Sequence, residues 1–572
     1  MPERVLKRTP GRTGNHMNTD AGATALGDLV RALTALDYGT DMVLSCLGRE
    51  GYIEALAGNP GAALWHLDNR MSSGEVADQR SATLSRTFFL REPVPAGEVA
   101  DILGTELTEA LIRAGVLAVL QDNDHEGDRV QSQIDVRPVS HPVHGGGRPV
   151  LVASDPDAST TNGSSRADHV PGVGRAPLTL LDQVPFSPTE SLLDLGTGSG
   201  VLALTLPAGR TIATDVNPRA LDYARASQRS VSTSTASNTS SDSSSTSGAT
   251  VEFREGSWFD PVDGELFTRI VSNPPFVIGP PEEGQVYRDS GLELDSASRL
   301  VVEGACEHLA AGGTAHLLGA WVTGLSESPA SRVAGWIPES GIRAWVVQRD
   351  EVTPSMYART WVADASLDLR SSQGRERTAR WLDYMQEHQV ARIGMGYVHL
   401  ERIDGPSEVT FEVLDTPDLG YIGDEVEEYF TRAAWLSHAD SDDVLDSRFQ
   451  VRPGLARENV ETATIGTEDM PAVGFQPEVL RLTRTEGPRF SHEIDSPLSS
   501  VVAGLSPQGL SLRDTASLYC AVNGLDEDEF VEALVPLVVD LVRHGMILPA
   551  EIVDIDDREH TEDDDTEEKE GR

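Results

Sequence analysis

The tetrapeptide Asn273-Pro274-Pro275-Phe276 sets two hydrogen-bond acceptors beside an aromatic face, a combination suited to activating a planar nitrogen. An amide or exocyclic amine nitrogen is a weak nucleophile because its lone pair is delocalised into a carbonyl or ring. Acceptors on its two hydrogens bias it toward sp3 and aim the lone pair at an electrophilic methyl carbon. Asn273 offers its side-chain oxygen and Pro274 its backbone carbonyl. The prolines fix φ and remove a backbone donor, and Phe276 gives a planar group something to stack on. No strong general base is required, since the nitrogen turns acidic once alkylated and sheds its proton late. Pro-Pro is also common loop punctuation, so the reading depends on the company the motif keeps.

That company is a glycine loop, Asp194-Leu195-Gly196-Thr197-Gly198-Ser199-Gly200, between an apolar run and the apolar segment Val201 to Leu206. Glycines let backbone turn sharply and approach a ligand where a side chain would collide. About 19 residues past Gly196, Asp215 ends a second apolar run, where a carboxylate can accept both hydroxyls of a ribose. The loop alone leaves two ligands open, because Gly198-Ser199-Gly200-Val201-Leu202-Ala203 also satisfies the dinucleotide pattern and admits NAD. Asp194 favours S-adenosylmethionine: a carboxylate there can take an amino group and would repel a pyrophosphate.

To hold these groups in place the chain needs a doubly wound α/β sheet. Apolar runs at Leu192–Leu195, Thr211–Thr214, Val251–Phe253, Arg269–Ser272, Thr314–Gly319, Ala344–Gln348 and Val390–Leu400 read as seven strands. Helices fit at Arg219–Ala226, Ala297–Leu309 and Arg375–His388. The expected architecture is a seven-stranded Rossmann-like sheet over 171–405, after a linker at 155–170 rich in Ser, Thr, Asp and Gly. The run 227–250 is almost wholly Ser, Thr, Ala and Asn and reads as a disordered insertion. Residues 21–154 form an N-terminal α/β accessory domain with a winged-helix outline: helices at 97–103 and 105–114, then a strand at 116–120. Glu106 and Glu109, against Arg113 alone, make its second helix a poor match for DNA. A mostly helical C-terminal module is expected over 406–550, where Leu541–Ile547 echoes Leu111–Leu117. Residues 1–20 and the acidic 551–572 read as tails.

Three segments carry a resemblance: Leu193–Gly200, Ala213-Thr214-Asp215-Val216-Asn217-Pro218, and Val271–Phe276. Over about 171–405 the chain resembles class I methyltransferases with an (N/D)PP(F/Y/W) motif, a group that includes release-factor glutamine methyltransferases and ribosomal-RNA guanine N2-methyltransferases. The resemblance implies that Asp194, Gly196, Thr197, Gly198, Gly200 and Asp215 bind S-adenosylmethionine, and that Asn273, Pro274, Pro275 and Phe276 present the acceptor nitrogen. It also places Trp258, in Gly256-Ser257-Trp258-Phe259, near the adenine. Ser257 stands where the glutamine methyltransferases often carry Asp, so a hydroxyl replaces a carboxylate at the adenine amino group. The substrate expected is a macromolecule, with a protein glutamine of a release factor or ribosomal protein slightly ahead of an rRNA or tRNA base; the alternative from another class is a non-catalytic S-adenosylmethionine-binding regulatory or scaffold protein, against which the intact Asn273 argues.

Composition bounds the rest. The 572 residues carry a net charge of -45, which would repel a phosphate backbone over most of the surface and leaves RNA dependent on a local basic patch. No apolar run is long enough to span a bilayer, no apolar core follows the basic residues of 1–17, and Cys46, Cys306 and Cys520 lie far apart; a cytoplasmic protein is expected. Histidines lack metal-ligand spacing, so no metal is expected. His144-Gly145-Gly146-Gly147 mimics a lipase oxyanion loop without a nucleophile elbow and reads as a turn. Gly394-Met395-Gly396 reads as a strand bulge, and Tyr287-Arg288-Asp289 as a loop placed to touch substrate. Oligomeric state is left open.

Overall fold

The computed structural model describes residues 20–76, 78–120, 128–140, 149–156, 168–232, 250–280, 292–364, 367–414, 419–463 and 474–553. His144–Gly147, Tyr287–Asp289 and, of the two tails, residues 1–19 and 554–572 lie outside them. The chain divides into two units, one within 1–182 and 186–415, the other within 183–185 and 416–572.

The first unit is built on one sheet. Its strands are β1 Thr189–Leu195, β2 Ala208–Asp215, β3 Thr250–Glu255, β4 Phe267–Ser272, β5 Leu309–Thr323, β6 Ser340–Val352, β7 Arg392–Pro406 and β8 Glu408–Val413. They lie in the order β8-β6-β7-β5-β4-β1-β2-β3. From β5 to β3 the pairs are parallel, and β7 runs antiparallel between β5 and β6. All seven expected strands are present, and an eighth is added: β8 pairs parallel with β6. Its alternating Glu408, Thr410 and Glu412 hid it, since an edge strand with one polar face looks like a surface loop in sequence.

Winding reverses between β1 and β4, which opens a crevice at their carboxyl ends. The helices that cover the sheet include α1 Val201–Thr205, α2 Pro218–Ser232, α3 Ser296–His308, α4 Pro354–Asp364 and α5 Ser372–Glu387. The sheet interior is apolar, with Leu193, Ile212, Ile270, Leu317 and Val346 fully or almost fully buried.

Two stretches set aside as disordered or linking prove to be partly built in. Helix α2 continues through Ser232, six residues into the Ser/Thr-rich run. Ser227 Oγ accepts from Ala153 N at 2.9 Å and Ser230 Oγ from Leu151 N at 3.1 Å, so two buried serines serve the backbone of the strand Val150–Ser154. In the linker, Asp155 pairs with both terminal nitrogens of Arg219 and accepts from Tyr223 Oη at 2.9 Å and Val170 N at 2.9 Å. Gly394 and Gly396 lie in regular pairing with β5. The irregularity falls on β6 between Gln348 and Asp350, and a Cβ on Gly396 would sit 1.9 Å from the Val347 carbonyl.

The N-terminal residues begin with helices Asp20–Ala35, Thr40–Leu56, Pro60–Ser73 and Gln79–Leu84. Next come a π turn at Ser85–Phe89, the helix pair Ala96–Leu103 and Thr105–Arg113, and a three-stranded sheet. Their core is continuous with the central domain: Ala220, Tyr223 and Ala226 of α2 belong to the same buried cluster as Leu29, Val43 and Phe88.

The second unit has more helix than strand, as expected, and adds a sheet that the sequence did not announce. Helices Gly423–His438, Ser496–Gly504, Leu512–Asn523 and Glu527–Arg543 accompany a three-stranded antiparallel sheet of Leu455–Ala463, Phe475–Arg484 and Ser491–Ile494. The first of these strands carries mostly exposed polar residues, so no apolar alternation announced it. The echo between Leu111–Leu117 and Leu541–Ile547 is a shared helix ending. Val116 N bonds Leu111 O at 2.9 Å and Met546 N bonds Leu541 O at 2.8 Å, with Gly115 and Gly545 both left-handed, the Schellman arrangement. A buried ion cluster joins Glu425 to Arg432 and Arg484 at 2.7 and 2.8 Å, and both arginines also donate to the last carbonyls of Glu527–Arg543 and the residue after it. Their positive charge is thereby set against the negative end of a helix.

Candidate active site

Register brings the two motifs together. Leu195 of β1 pairs with Ser272 of β4, and Ser272 Oγ donates to the Leu195 carbonyl at 2.8 Å, so Gly196 and Asn273 leave adjacent strand ends side by side. A cavity of 1040 Å³ opens there. Among its lining residues are Asp194, Gly196, Thr197, Gly198, Asp215, Ser257, Trp258 and the whole of Asn273–Phe276, so every site residue expected from sequence lines it except Gly200.

Gly200 works from behind the loop. Its φ is +89°, and a Cβ there would come within 3.1 Å of both Ala224 and Leu204, so glycine lets α1 approach α2. Gly196 and Gly198 have φ of +74° and +55° with no atom within 4 Å of where a Cβ would project, leaving space for a ligand against bare backbone.

Asp194 is almost wholly buried. Its Oδ2 accepts from Thr197 Oγ1 at 2.7 Å and Ala203 N at 3.0 Å, bracing the loop and the first turn of α1. Burial pushes its carboxyl up to about 6 against those two bonds, and nearby Asp215 adds to the rise. Asp215 accepts from Gly198 N at 2.9 Å and Asn217 N at 2.8 Å, and burial raises its carboxyl too. The buried Asp194, the half-buried Asp215, the loop backbone and Trp258, whose φ is +47°, fit a ligand that carries an ammonium group, a ribose and a flat ring.

At the acceptor end, Asn273 and Phe276 are half-buried. Among the described residues the Asn273 amide is bonded to no other side chain, while the chain after it is tightly held. Ile278 N donates to Tyr357 Oη at 2.9 Å, and a Cβ on Gly279 would press on the Trp381 ring at 3.0 Å. Sequence reasoning missed α4, which brings Trp361 to the cavity wall in one apolar cluster with Phe276. It also missed the N-terminal contribution of Phe89, Arg91, Gln131, Asp135 and Arg137. Only the alternation of Asp135 and Arg137 on one strand face could have hinted at it.

Residues 172–318 match the family model of the methyltransferase small domain, and two families described as domains of unknown function match 35–127 and 427–549. A release factor glutamine methyltransferase of Xylella fastidiosa is 31% identical over 187 residues, 30% of this chain and 62% of that protein. One of Cereibacter sphaeroides is 30% identical over 202 residues, 33% of this chain and 63% of its own. The chain thus spans less than two thirds of the length of these relatives. A T. thermophilus 16S rRNA N2 methyltransferase, solved with AdoMet and guanosine, aligns with 43% of this chain and 59% of its own at 16% identity and a TM-score of 0.23. The sheet order, the glycine loop and the sequence matches together give the central domain a class I S-adenosylmethionine-dependent methyltransferase fold, related to the release-factor methyltransferases.

Proposed function

We propose that the protein transfers a methyl group from S-adenosylmethionine to a planar amide or amino nitrogen of a macromolecule. The observation that carries this reading is the adjacency of Gly196 and Asn273 on paired strands at the mouth of one cavity. The donor supplies a sulfonium methyl; the chain supplies position. Asn273 Oδ1 and the Pro274 carbonyl accept the two N–H bonds of the acceptor, Phe276 lies along its plane, and Asp194 and Asp215 take the donor's ammonium and ribose hydroxyls. The nitrogen lone pair forms the new N–C bond as the S–C bond breaks, its electron pair stays on sulfur, and the extra proton leaves the nitrogen afterwards.

Two acceptors have support. The net charge of -45 and the activity named for the Xylella and Cereibacter relatives favour a protein glutamine, while the aromatic Phe276 favours a base. The test is to incubate the full chain and its Asn273→Ala variant with methyl-labelled S-adenosylmethionine and either release factors or ribosomal subunits. Label in one pool with wild type, reduced at least ~100-fold in the variant, supports the reading and identifies the acceptor. Label in neither pool counts against both acceptors.

A further inference from the structure

The cavity has a part of its wall that methyl transfer as described leaves unused, and it is chemically specialised. Arg91 and Arg137 both line it, with Asp135 between them: Asp135 Oδ1 lies 3.7 Å from Arg91 Nε and Oδ2 lies 3.8 Å from Arg137 Nε. Asp135 and Arg137 sit two residues apart on the strand Asp135–Val139 and therefore share a face. That strand is fixed from behind by Tyr38 Oη donating to the Val136 carbonyl at 3.1 Å.

Both guanidinium groups are held before any ligand arrives. Arg137 lies 5.1 Å over the Phe89 ring, which itself stacks on Tyr52 at 5.6 Å. Arg91 has a left-handed backbone, φ +56°, enforced on three sides. Leu90 N bonds Ser85 O at 3.0 Å to close the π turn, Glu92 N bonds Arg86 O at 2.8 Å, and Gln131 Nε2 donates to the Arg91 carbonyl at 3.0 Å. A π turn and a non-glycine left-handed residue side by side are costly, and such features concentrate where function repays them. In charge, Arg91 and Arg137 are offset by Asp135, and Glu92 on the same wall also faces Arg129 and Arg86. With Arg91 and Arg137 matched by Asp135 and Glu92, the wall is locally neutral, and in a chain of net charge -45 it repels an anion far less than the average surface does.

We infer that Arg91 and Arg137 form an anion-binding subsite of the acceptor pocket, and that its ligand is the phosphate of a nucleotide whose base amino group is methylated. This rests on the methyl-transfer reading above and extends it. A glutamine amide offers neither an anion for two ordered guanidiniums nor a ring for the two aromatic side chains, Phe276 and Trp361, that share one cluster at the cavity. A nucleotide offers both, and paired guanidiniums match phosphate geometry.

The test is equilibrium binding to the full chain saturated with S-adenosylhomocysteine. The probes are the 5′-monophosphates of adenosine, guanosine and cytidine against their nucleosides, with an acetylated Gln-Glu dipeptide amide as a protein-type probe. The inference expects at least one monophosphate to bind at least ~10-fold tighter than its nucleoside. Arg91→Gln and Arg137→Gln should each abolish that preference, with Arg91→Lys retaining part of it and S-adenosylhomocysteine affinity changing less than twofold. Equal affinity for nucleotide and nucleoside in wild type, or a preference that survives both Gln variants, overturns it. A parallel loss of S-adenosylhomocysteine binding overturns it as well, by assigning the arginines to the donor. So does a variant-sensitive dipeptide without nucleotide binding, which assigns them to a protein acceptor. A wild-type chain that binds no S-adenosylhomocysteine would sink the methyltransferase reading itself.

Discussion

At the residue scale, the proposed transfer rests on two carboxylates, Asp194 and Asp215, and one amide, Asn273. Asp194 titrates near 6 in the folded chain because it is buried. If its charge holds the donor's ammonium group, affinity for S-adenosylmethionine is fully present above that pH and falls as Asp194 protonates, by up to about tenfold per pH unit. Dissociation constants at pH 7.5 and 5.0 check this, and equal values would remove Asp194 from the donor site. Gly200 is a second point of leverage. Alanine there meets both a left-handed φ and two 3.1 Å contacts, and it is expected to cost about 1–3 kcal/mol in urea unfolding. These residues were legible in the sequence because glycine spacing, an acid before the loop and Asn-Pro-Pro-Phe are local patterns. Trp361, Arg91 and Arg137 were not, because nothing local shows that distant segments converge on one cavity.

At the element scale, strand β5 sets His316 directly across from His399 of β7, their Nδ1 atoms 3.1 Å apart inside the sheet. Burial holds both well below the usual histidine value, His399 at about 3, so both are neutral in the folded state. Unfolded histidine gains a proton near 6.5, so this stability is complete above 6.5 and declines as pH falls toward the folded values, by about 1.4 kcal/mol per histidine per pH unit. Urea midpoints at pH 7.5 and 5.5 should therefore differ, and a His316→Leu, His399→Leu double variant should flatten the difference. A slope unchanged in that variant would place the titration elsewhere. Helix α2 carries a further expectation. Ser227→Ala leaves the Ala153 amide without its partner and should cost about 1–3 kcal/mol, although composition alone marks Ser227 as part of a disordered run. Strands whose apolar face repeats every second residue were visible in sequence, whereas β8 and Leu455–Ala463 were hidden by their polar residues.

At the scale of the whole molecule, the N-terminal residues share a core with helix α2 of the unit that carries the glycine loop. Tyr223 and Ala226 of α2 are buried by the same cluster as Leu29 and Phe88. A fragment limited to 171–415 would expose that face of α2, and it should lack the near-ultraviolet circular dichroism of the full chain; a well-folded fragment would contradict the shared core. The central domain was readable because it alternates strand and helix. The flanking segments were not, since short helices and edge strands packed on a neighbour leave only weak periodicity.

The most direct test of the central claim is calorimetric titration of the full chain with S-adenosylmethionine and, separately, with NAD. Methyl transfer as proposed requires saturable binding of S-adenosylmethionine and no measurable heat with NAD, since a carboxylate at Asp194 would attract an ammonium group and repel a pyrophosphate. Binding of NAD in place of S-adenosylmethionine would contradict it.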